Sequence, residues 1–375
     1  MIPRRRLLQG SAAAAAFACT GFPAGAATPR IEAPEVDSLS IQVVTDGNHD
    51  IFMSGAQVPG VRIERVRSQT GARERRVLRS EWGLSLWMVS TRGAETKRIM
   101  LDFGWTGETV NNNLDLLGLD PATLDALVSS HGHLDHFGGL EGFLEKHRAR
   151  MKADLRLHLG GEDAFCQRVS PAGNGAFASF GRLDRSMLAA ARVTPVLSED
   201  PAVIEGHAFT TGIIPRVSQE RVLPNTSVVF GQQEGAQGTV GCDVSKYAAH
   251  HFTPAELAGS PVPDQHLHEH ATCYNLKGRG LVVVTSCGHA GILNTIRRAR
   301  AVTGVEKVHA LVGGFHLAPA PQDYLDRIMA ELKAQDIDHV FPMHCSGPNF
   351  LEAAKREMPQ ALVLCTTGSR FSFAA

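Results

Sequence analysis

The sequence predicts an α/β protein built of stacked layers, and three observations carry that prediction. From about Ser40 onward, short β-rich apolar runs alternate with helical patterns, as they do where helices cover sheets. The chain closes on a β-α-β succession, Lys307–Val312, Tyr324–Gln335 and Ile337–Met343. The most reactive side chains fall directly after apolar runs, where loops present chemistry at a sheet edge. With 375 residues, 43% of them hydrophobic, the chain has material for a large buried core.

In chain order, the first element is a leader. Arg4-Arg5-Arg6-Leu7-Leu8 precedes an Ala-rich run from Ser11 to Ala18 and then Ala24-Gly25-Ala26-Ala27. A charged start, a short apolar stretch and small residues at a cleavage site predict a signal peptide over residues 1–27. The paired arginines point to the twin-arginine route and a periplasmic location. Cys19, in Ala-Phe-Ala-Cys, makes a poor lipoprotein box. No later stretch has the roughly 18 unbroken apolar residues of a membrane span.

The mature chain reads as one catalytic domain over 40–372. Ser40–Val44, Leu84–Ser90 and Lys97–Phe103 read as strands and Thr109–Leu117 as a helix. Leu124–Ser129 is a short strand, and Leu140–Arg148 the helix after the loop that follows it. Asp154–Leu159, Val203–Thr210, Thr226–Phe230, Thr272–Leu276 and Leu281–Ser286 are further strands, with Ala290–Ala301 helical. Ser170–Arg182, rich in Gly, Ala and Phe, and Gln232–Pro263, which mixes Gly, Pro and His without period, read as long loops or insertions near the mouth of a site.

A formal net charge of -1 gives no electrostatic reason to expect nucleic acid or an anionic membrane as partner; a small-molecule substrate remains. Removal of the leader takes away Cys19. The remaining cysteines, Cys166, Cys242, Cys273, Cys287, Cys345 and Cys365, contain no C-x-x-C pair. An exported protein can form disulfides among them, with a pairing that spacing does not assign.

The 17 histidines cluster near Gly-rich turns. The densest cluster is Ser130-His131-Gly132-His133-Leu134-Asp135-His136-Phe137-Gly138-Gly139. Imidazoles with a carboxylate suit zinc, iron or manganese. On an extended segment, histidines at i and i+2 point to one side and can grip one ion. After the chain turns, Asp135 and His136 face a second. Gly132, Gly138 and Gly139 let the backbone pass close to the metals.

Such a centre draws further ligands from other strand ends and keeps a position open for water. Ser286-Cys287-Gly288-His289 follows one apolar run and His344-Cys345-Ser346 another, making His289 and His344 candidates. His316, after Gly313-Gly314-Phe315, lies in reach of substrate or metals. His266, His268 and His270, at alternate positions of one segment, are dense enough to bind metal but equally suit a solvated loop. Asp102, ending Ile99-Met100-Leu101, fits an acceptor that orients a liganding imidazole.

These residues carry a resemblance. His131-Gly132-His133-Leu134-Asp135-His136 resembles the H-x-H-x-D-H signature of the metallo-β-lactamase superfamily, and Asp102 its preceding aspartate. Within it the chain is similar to the branch of dihydropterin-6-methyl-4-(β-D-ribofuranosyl)-aminobenzene-5'-phosphate synthase-like metallo-hydrolases. The segments bearing that likeness are Trp82–Leu86, Thr211–Arg216, Ser286–Gly291, Gly313–Leu317 and His344–Gly347. The resemblance implies a four-layer αββα sandwich with two divalent ions, zinc first and iron or manganese as alternatives. It implies His131 and His133 on one ion, and Asp135, His136 and His344 on the other. The superfamily's bridging aspartate is missing, and Ser286-Cys287-Gly288-His289 stands in its place. His289 is the favoured ligand there and a Cys287 thiolate the alternative.

Two metals a few ångströms apart lower the pKa of a shared water from about 15.7 toward neutral. The expected activity is therefore hydrolysis of an ester, a phosphoric ester first. Asp135 would orient the nucleophile, and His316 would donate a proton or contact the oxyanion. A synthase-type transferase and a non-catalytic metal-binding protein are the alternatives. Export argues against the first, because its biosynthetic substrates are cytoplasmic. The intact cluster argues against the second.

Overall fold

The computed structural model describes residues 29–375 apart from 66–75, 173–174, 224, 236–237, 247–252, 254–255 and 257–258. The expected signal peptide therefore lies outside the described residues, as does part of the segment 232–263. Among the described residues no helix is long and apolar enough to cross a membrane.

Two large sheets face one another. The first is built from β1 (Ser38–Thr45), β2 (Ala56–Val58), β3 (Val61–Arg65), β4 (Ser85–Arg92), β5 (Glu95–Leu101), β6 (Ala126–Val128), β7 (Arg156–Leu159) and β8 (Thr194–Leu197). The second contains β9 (Ala202–Ile204), β10 (Ala208–Thr210), β11 (Thr272–Leu276), β12 (Gly280–Thr285), β13 (Val308–Gly314) and β14 (His339–Met343), with Glu35–Val36 beside β11. The chain returns to the first sheet with β15 (Ser369–Ala374), which inserts between β1 and β3. The sheets thus draw strands from Glu35 to Ala374.

Period-two alternation makes the layers. On β12, Val282 and Val284 turn toward the other sheet, while Leu281 and Val283 turn toward helices. The inter-sheet core joins Leu39, Ile41, Leu86, Met88 and Phe371 of the first sheet to Tyr274, Val312 and Phe341 of the second. Outside the first sheet, Trp87, Met100 and Leu127 pack on α1 (Gly107–Leu117) and α3 (Leu140–His147); between these helices in the chain lies the single turn α2 (Leu134–Phe137). Outside the second sheet lie α4 (Ile292–Thr303), α5 (Gln322–Lys333) and α6 (Gly347–Glu357). The result is a four-layer αββα sandwich, as the sequence implied.

Strands β5 to β8 run parallel to one another, as do β12 to β14. Their C-terminal ends therefore lie together, which is where open α/β sheets carry their loops.

The structure differs from the sequence reading in several places. Val203–Thr210 is a hairpin of two strands, because Glu205 and Gly206 take φ of 50° and 74° and reverse the chain. Ser170–Arg182 is not a loop: Gln167–Pro171 pairs with Phe177–Gly181. Gln232–Gly235 pairs with Gly238–Gly241 within the second expected loop. Helix α4 starts two residues late because Gly291 sits at φ 96°, outside the helical region. A disulfide joins Cys166 to Cys242 and ties this excursion to the body of the fold.

Candidate metal centre

The centre is assembled at the edge where the parallel strands end. β6 stops at Val128, and the chain passes Ser129 and Ser130, bends at His131 and Gly132 and enters α2, which carries Asp135 and His136. This turn fits under the loop after β5 only because Gly139 has no side chain: a Cβ there would lie 2.1 Å from the Phe103 carbonyl oxygen. β12 delivers Cys287 and His289, β13 delivers His316, and β14 delivers His344.

His131, His133 and His289 offer ring nitrogens that all lie within 4.8 Å of one another, and Asp135, His136 and His344 form a second such group. The groups are adjacent, with the His131 and His136 ring centroids 4.2 Å apart. His136 Nε2 is 3.2 Å from His344 Nε2, which is itself 3.2 Å from Asp135 Oδ2.

Most of these rings are anchored through one nitrogen and present the other inward. Asp102, fully buried, accepts from His136 Nδ1 at 2.7 Å. It also accepts the Ser130 hydroxyl at 2.7 Å and the Ser130 amide at 2.8 Å. With its hydrogen spent on Asp102, the Ser130 oxygen takes the proton of His131 Nδ1 at 2.9 Å. One carboxylate thus sets two imidazoles with their Nε2 lone pairs inward. His133 uses Nε2 on Thr226 Oγ1 at 2.8 Å, and His289 Nδ1 lies 3.1 Å from the Asn225 amide. The His344 amide is tied to Asp46 at 2.7 Å.

What remains inward has no hydrogen-bond partner from the protein on His131 Nε2, His289 Nε2 and Asp135 Oδ1, while His344 turns its Nε2 to Asp135 and His136. An unsatisfied buried polar atom costs about 1–3 kcal/mol. Gathering three in adjacent groups is what a cation ligand set requires. Burial, reinforced by neighbouring imidazoles, pushes His131 and His289 well below the usual histidine range, which keeps them neutral and able to donate. Burial acts upward on Asp135, but His136 and His344 outweigh it and hold its carboxyl well below the usual carboxylate range. Neutral His131, His133 and His289 beside an ionised carboxylate fit a divalent cation. His344 goes the other way: burial lowers it, but the Cys345 sulfur and Asp135 outweigh burial and hold it well above the usual histidine range.

His266, His268 and His270 are buried, not solvated. His270 spends both nitrogens, on Thr210 Oγ1 at 2.7 Å and the Ser129 carbonyl at 3.1 Å. So does His268, which faces Asp163 at 2.8 Å and accepts the Gly132 amide at 2.7 Å. His266 stacks on His289 with centroids 3.9 Å apart and keeps Nδ1 without a hydrogen bond. Its nitrogens group with His133 and Asp264. His316 lies half-buried against the His289 ring, 4.1 Å between centroids.

Several contributors were not predicted. Arg168, fully buried, binds Asp163 at 3.1 Å and Asp264 at 2.9 Å, and through Asp163 and His268 this cluster braces the turn at Gly132. Glu269 accepts the His289 and Ala290 amides at 3.0 and 2.5 Å. Trp82 and Phe180 lie against the His344 and His133 rings, with Trp105 edge-on to Phe180. The position of Phe180 in a Gly- and Ala-rich stretch gave only the hint that this stretch bordered the mouth.

A family model of the metallo-β-lactamase superfamily matches residues 85–229, which include Asp102 and the whole His131–His136 loop. The chain has the metallo-β-lactamase fold. The structure of this metallo-β-lactamase-fold protein superposes on the crystal structure of a metal-dependent hydrolase of the β-lactamase superfamily with a TM-score of 0.60 at 21% identity, covering 88% of this chain and 98% of that one. In sequence it is 25% identical over 271 residues to the 7,8-dihydropterin-6-methyl-4-(β-D-ribofuranosyl)-aminobenzene-5'-phosphate synthase of Methanocaldococcus jannaschii. That match covers 72% of this chain and 82% of the relative. An uncharacterised protein of the same organism is 26% identical over 251 residues, 67% of this chain and 80% of the relative.

Proposed function

We propose that this metallo-β-lactamase-fold protein is an exported metal-dependent hydrolase that cleaves an ester, a phosphoric ester first. The observation that carries this reading is the set of inward-facing, unpartnered donors on His131, His289 and Asp135, with His344 Nε2 beside them. His131, His133 and His289 would hold one divalent ion; Asp135, His136 and His344 would hold another. Bound there, the ions would act as Lewis acids and bring a water's pKa toward neutral.

The chain's own residues do the rest. Asp102 keeps His131 and His136 in the tautomer that donates. Asp135, ionised and adjacent to both groups, orients the nucleophile. His316, with Nε2 buried and unpartnered, is placed to contact the reacting group as proton donor. Trp82, Trp105 and Phe180 form an aromatic rim suited to an apolar or ring-bearing leaving group. Export is supported by the leader sequence and by the Cys166–Cys242 disulfide, which suits an oxidising compartment.

The test pairs elemental analysis of the purified protein with a screen of phosphate and carboxylate esters. Two equivalents of metal and turnover that stops on chelation support the proposal; full activity after metal stripping refutes it. The name of the archaeal relative favours a second reading, a transferase joining a pterin to a phosphorylated aminobenzene riboside. Pterin consumption by purified protein, with no ester hydrolysis, would select it.

A further inference from the structure

The mechanism above leaves two buried sulfurs unused. The ends of β12, β13 and β14 each place a reactive side chain two residues beyond the last strand position: Cys287 after Thr285, His316 after Gly314 and Cys345 after Met343. Because these strands are adjacent and parallel, the side chains meet. Cys287 Sγ lies 3.0 Å from Cys345 Sγ and 3.6 Å from His316 Nδ1. The Cys345 sulfur accepts the His316 amide at 3.2 Å and lies 3.4 Å from the Cys287 carbonyl. It crosses the end of β13 at Gly314, where a Cβ would stand 2.9 Å from it. The other free cysteines, Cys273 and Cys365, are packed into the apolar cores.

We propose that Cys287 and Cys345 form a modification site, a dithiol that hydrogen peroxide converts reversibly to a disulfide. Their sulfurs need to approach by only about 1 Å to reach the bonded distance of roughly 2.05 Å. Both residues are nearly closed to solvent, at 3% and 2% exposure, so the oxidant must be a small molecule, not a protein or glutathione. One sulfur attacks a peroxide oxygen; the O–O bond breaks, and that sulfur becomes a sulfenic acid as one water leaves. The second sulfur attacks the sulfenic sulfur, the S–S bond forms and the hydroxyl departs as a second water. The two thiol protons end in the two waters, and peroxide takes both electrons.

The bond has a consequence for the centre, and that consequence rests on the metal-binding reading. Cys287 is two residues from His289, and Cys345 follows His344 directly. Drawing the sulfurs together across Gly314 changes the spacing of these two histidines, one from each ligand group. The oxidised protein binds metal more weakly, and a dithiol reductant restores it.

The experiment treats the full, metal-stripped chain with hydrogen peroxide, alkylates the remaining thiols and maps the digest by mass spectrometry. Zinc affinity is then measured before oxidation, after it, and after dithiothreitol. The expected result is a Cys287–Cys345 cross-linked peptide, two fewer alkylated thiols, and a tenfold or greater drop in zinc affinity that reduction reverses. Cys345→Ser forms no such link, and its zinc affinity ignores peroxide. Sulfinic acid on either cysteine without a cross-link, or a Cys287 paired elsewhere, overturns the proposal. So does a cobalt-substituted protein whose thiolate charge-transfer absorption disappears in Cys345→Ser, because the sulfurs are then metal ligands. A cross-link in a chain that never binds zinc leaves the modification site standing and removes the metal reading.

Discussion

Replacing Asp102 by Asn tests the link between the buried carboxylate and the metal centre with almost no change in volume. In the native arrangement both oxygens of Asp102 only accept: Oδ1 takes the Ser130 amide at 2.8 Å, and Oδ2 takes the Ser130 hydroxyl and His136 Nδ1, each at 2.7 Å. An asparagine amide must put its NH₂ at one of these positions. In one orientation it faces the His136 N–H, and in the other the Ser130 N–H. Either way two donors meet in a fully buried site, and relief comes from turning His136 or shifting Ser130, which holds His131. Losing an outer partner of this kind costs about 10–100-fold in metal affinity, or about 1.4–2.8 kcal/mol. The assay is zinc competition against a chromophoric chelator, with far-UV circular dichroism as the check that the fold persists. A folded Asp102→Asn protein with wild-type zinc affinity refutes the reasoning.

Other outcomes follow from the same geometry. His131→Ala and Asp135→Ala each abolish ester turnover and lower the bound metal measured by elemental analysis, while chelation of the wild type stops turnover and added zinc restores it. Burial raises the Glu220 carboxyl from 4.5 to about 7, against the pull of the Leu293 and Asn294 amides it accepts at 2.9 and 3.1 Å. A folded value above the unfolded one makes its stabilising contribution complete below about pH 4.5 and absent above pH 7, a change of about 3 kcal/mol. Urea unfolding at pH 4.5 and pH 8 should therefore show the wild type losing about that much more stability than Glu220→Gln; equal losses contradict it. Arg168→Met strands Asp163 and Asp264 in the interior and destabilises by about 3–5 kcal/mol, read by urea denaturation. An unchanged midpoint would mean that the paired carboxylates do not depend on it.

Much of this protein was legible in the residues alone, for physical reasons that are local. Short apolar runs announced β1, β4, β5, β12 and β14; strands such as β12 and β14, covered on both faces, bury nearly every side chain. The spacing of His131, His133, Asp135 and His136 announced a cluster that could hold a metal, since metal-ligand residue types crowd there within a few positions. Other features depended on contacts between distant segments. Nothing in Ser369–Ala374 says that it fills the gap between β1 and β3. A lone Arg168 in sequence does not reveal its buried partner Asp264, 96 residues away, nor does Cys345 reveal Cys287. His266, His268 and His270 looked alike as a string. Their differing roles arise because Asp163, Thr210 and the Gly132 amide occupy the nitrogens of two of them and leave one on the third. Sequence by itself determined the chemistry on offer and the layers that could form. Tertiary packing decided which nitrogens remain free, because that depends on which groups from elsewhere in the chain have already taken the others.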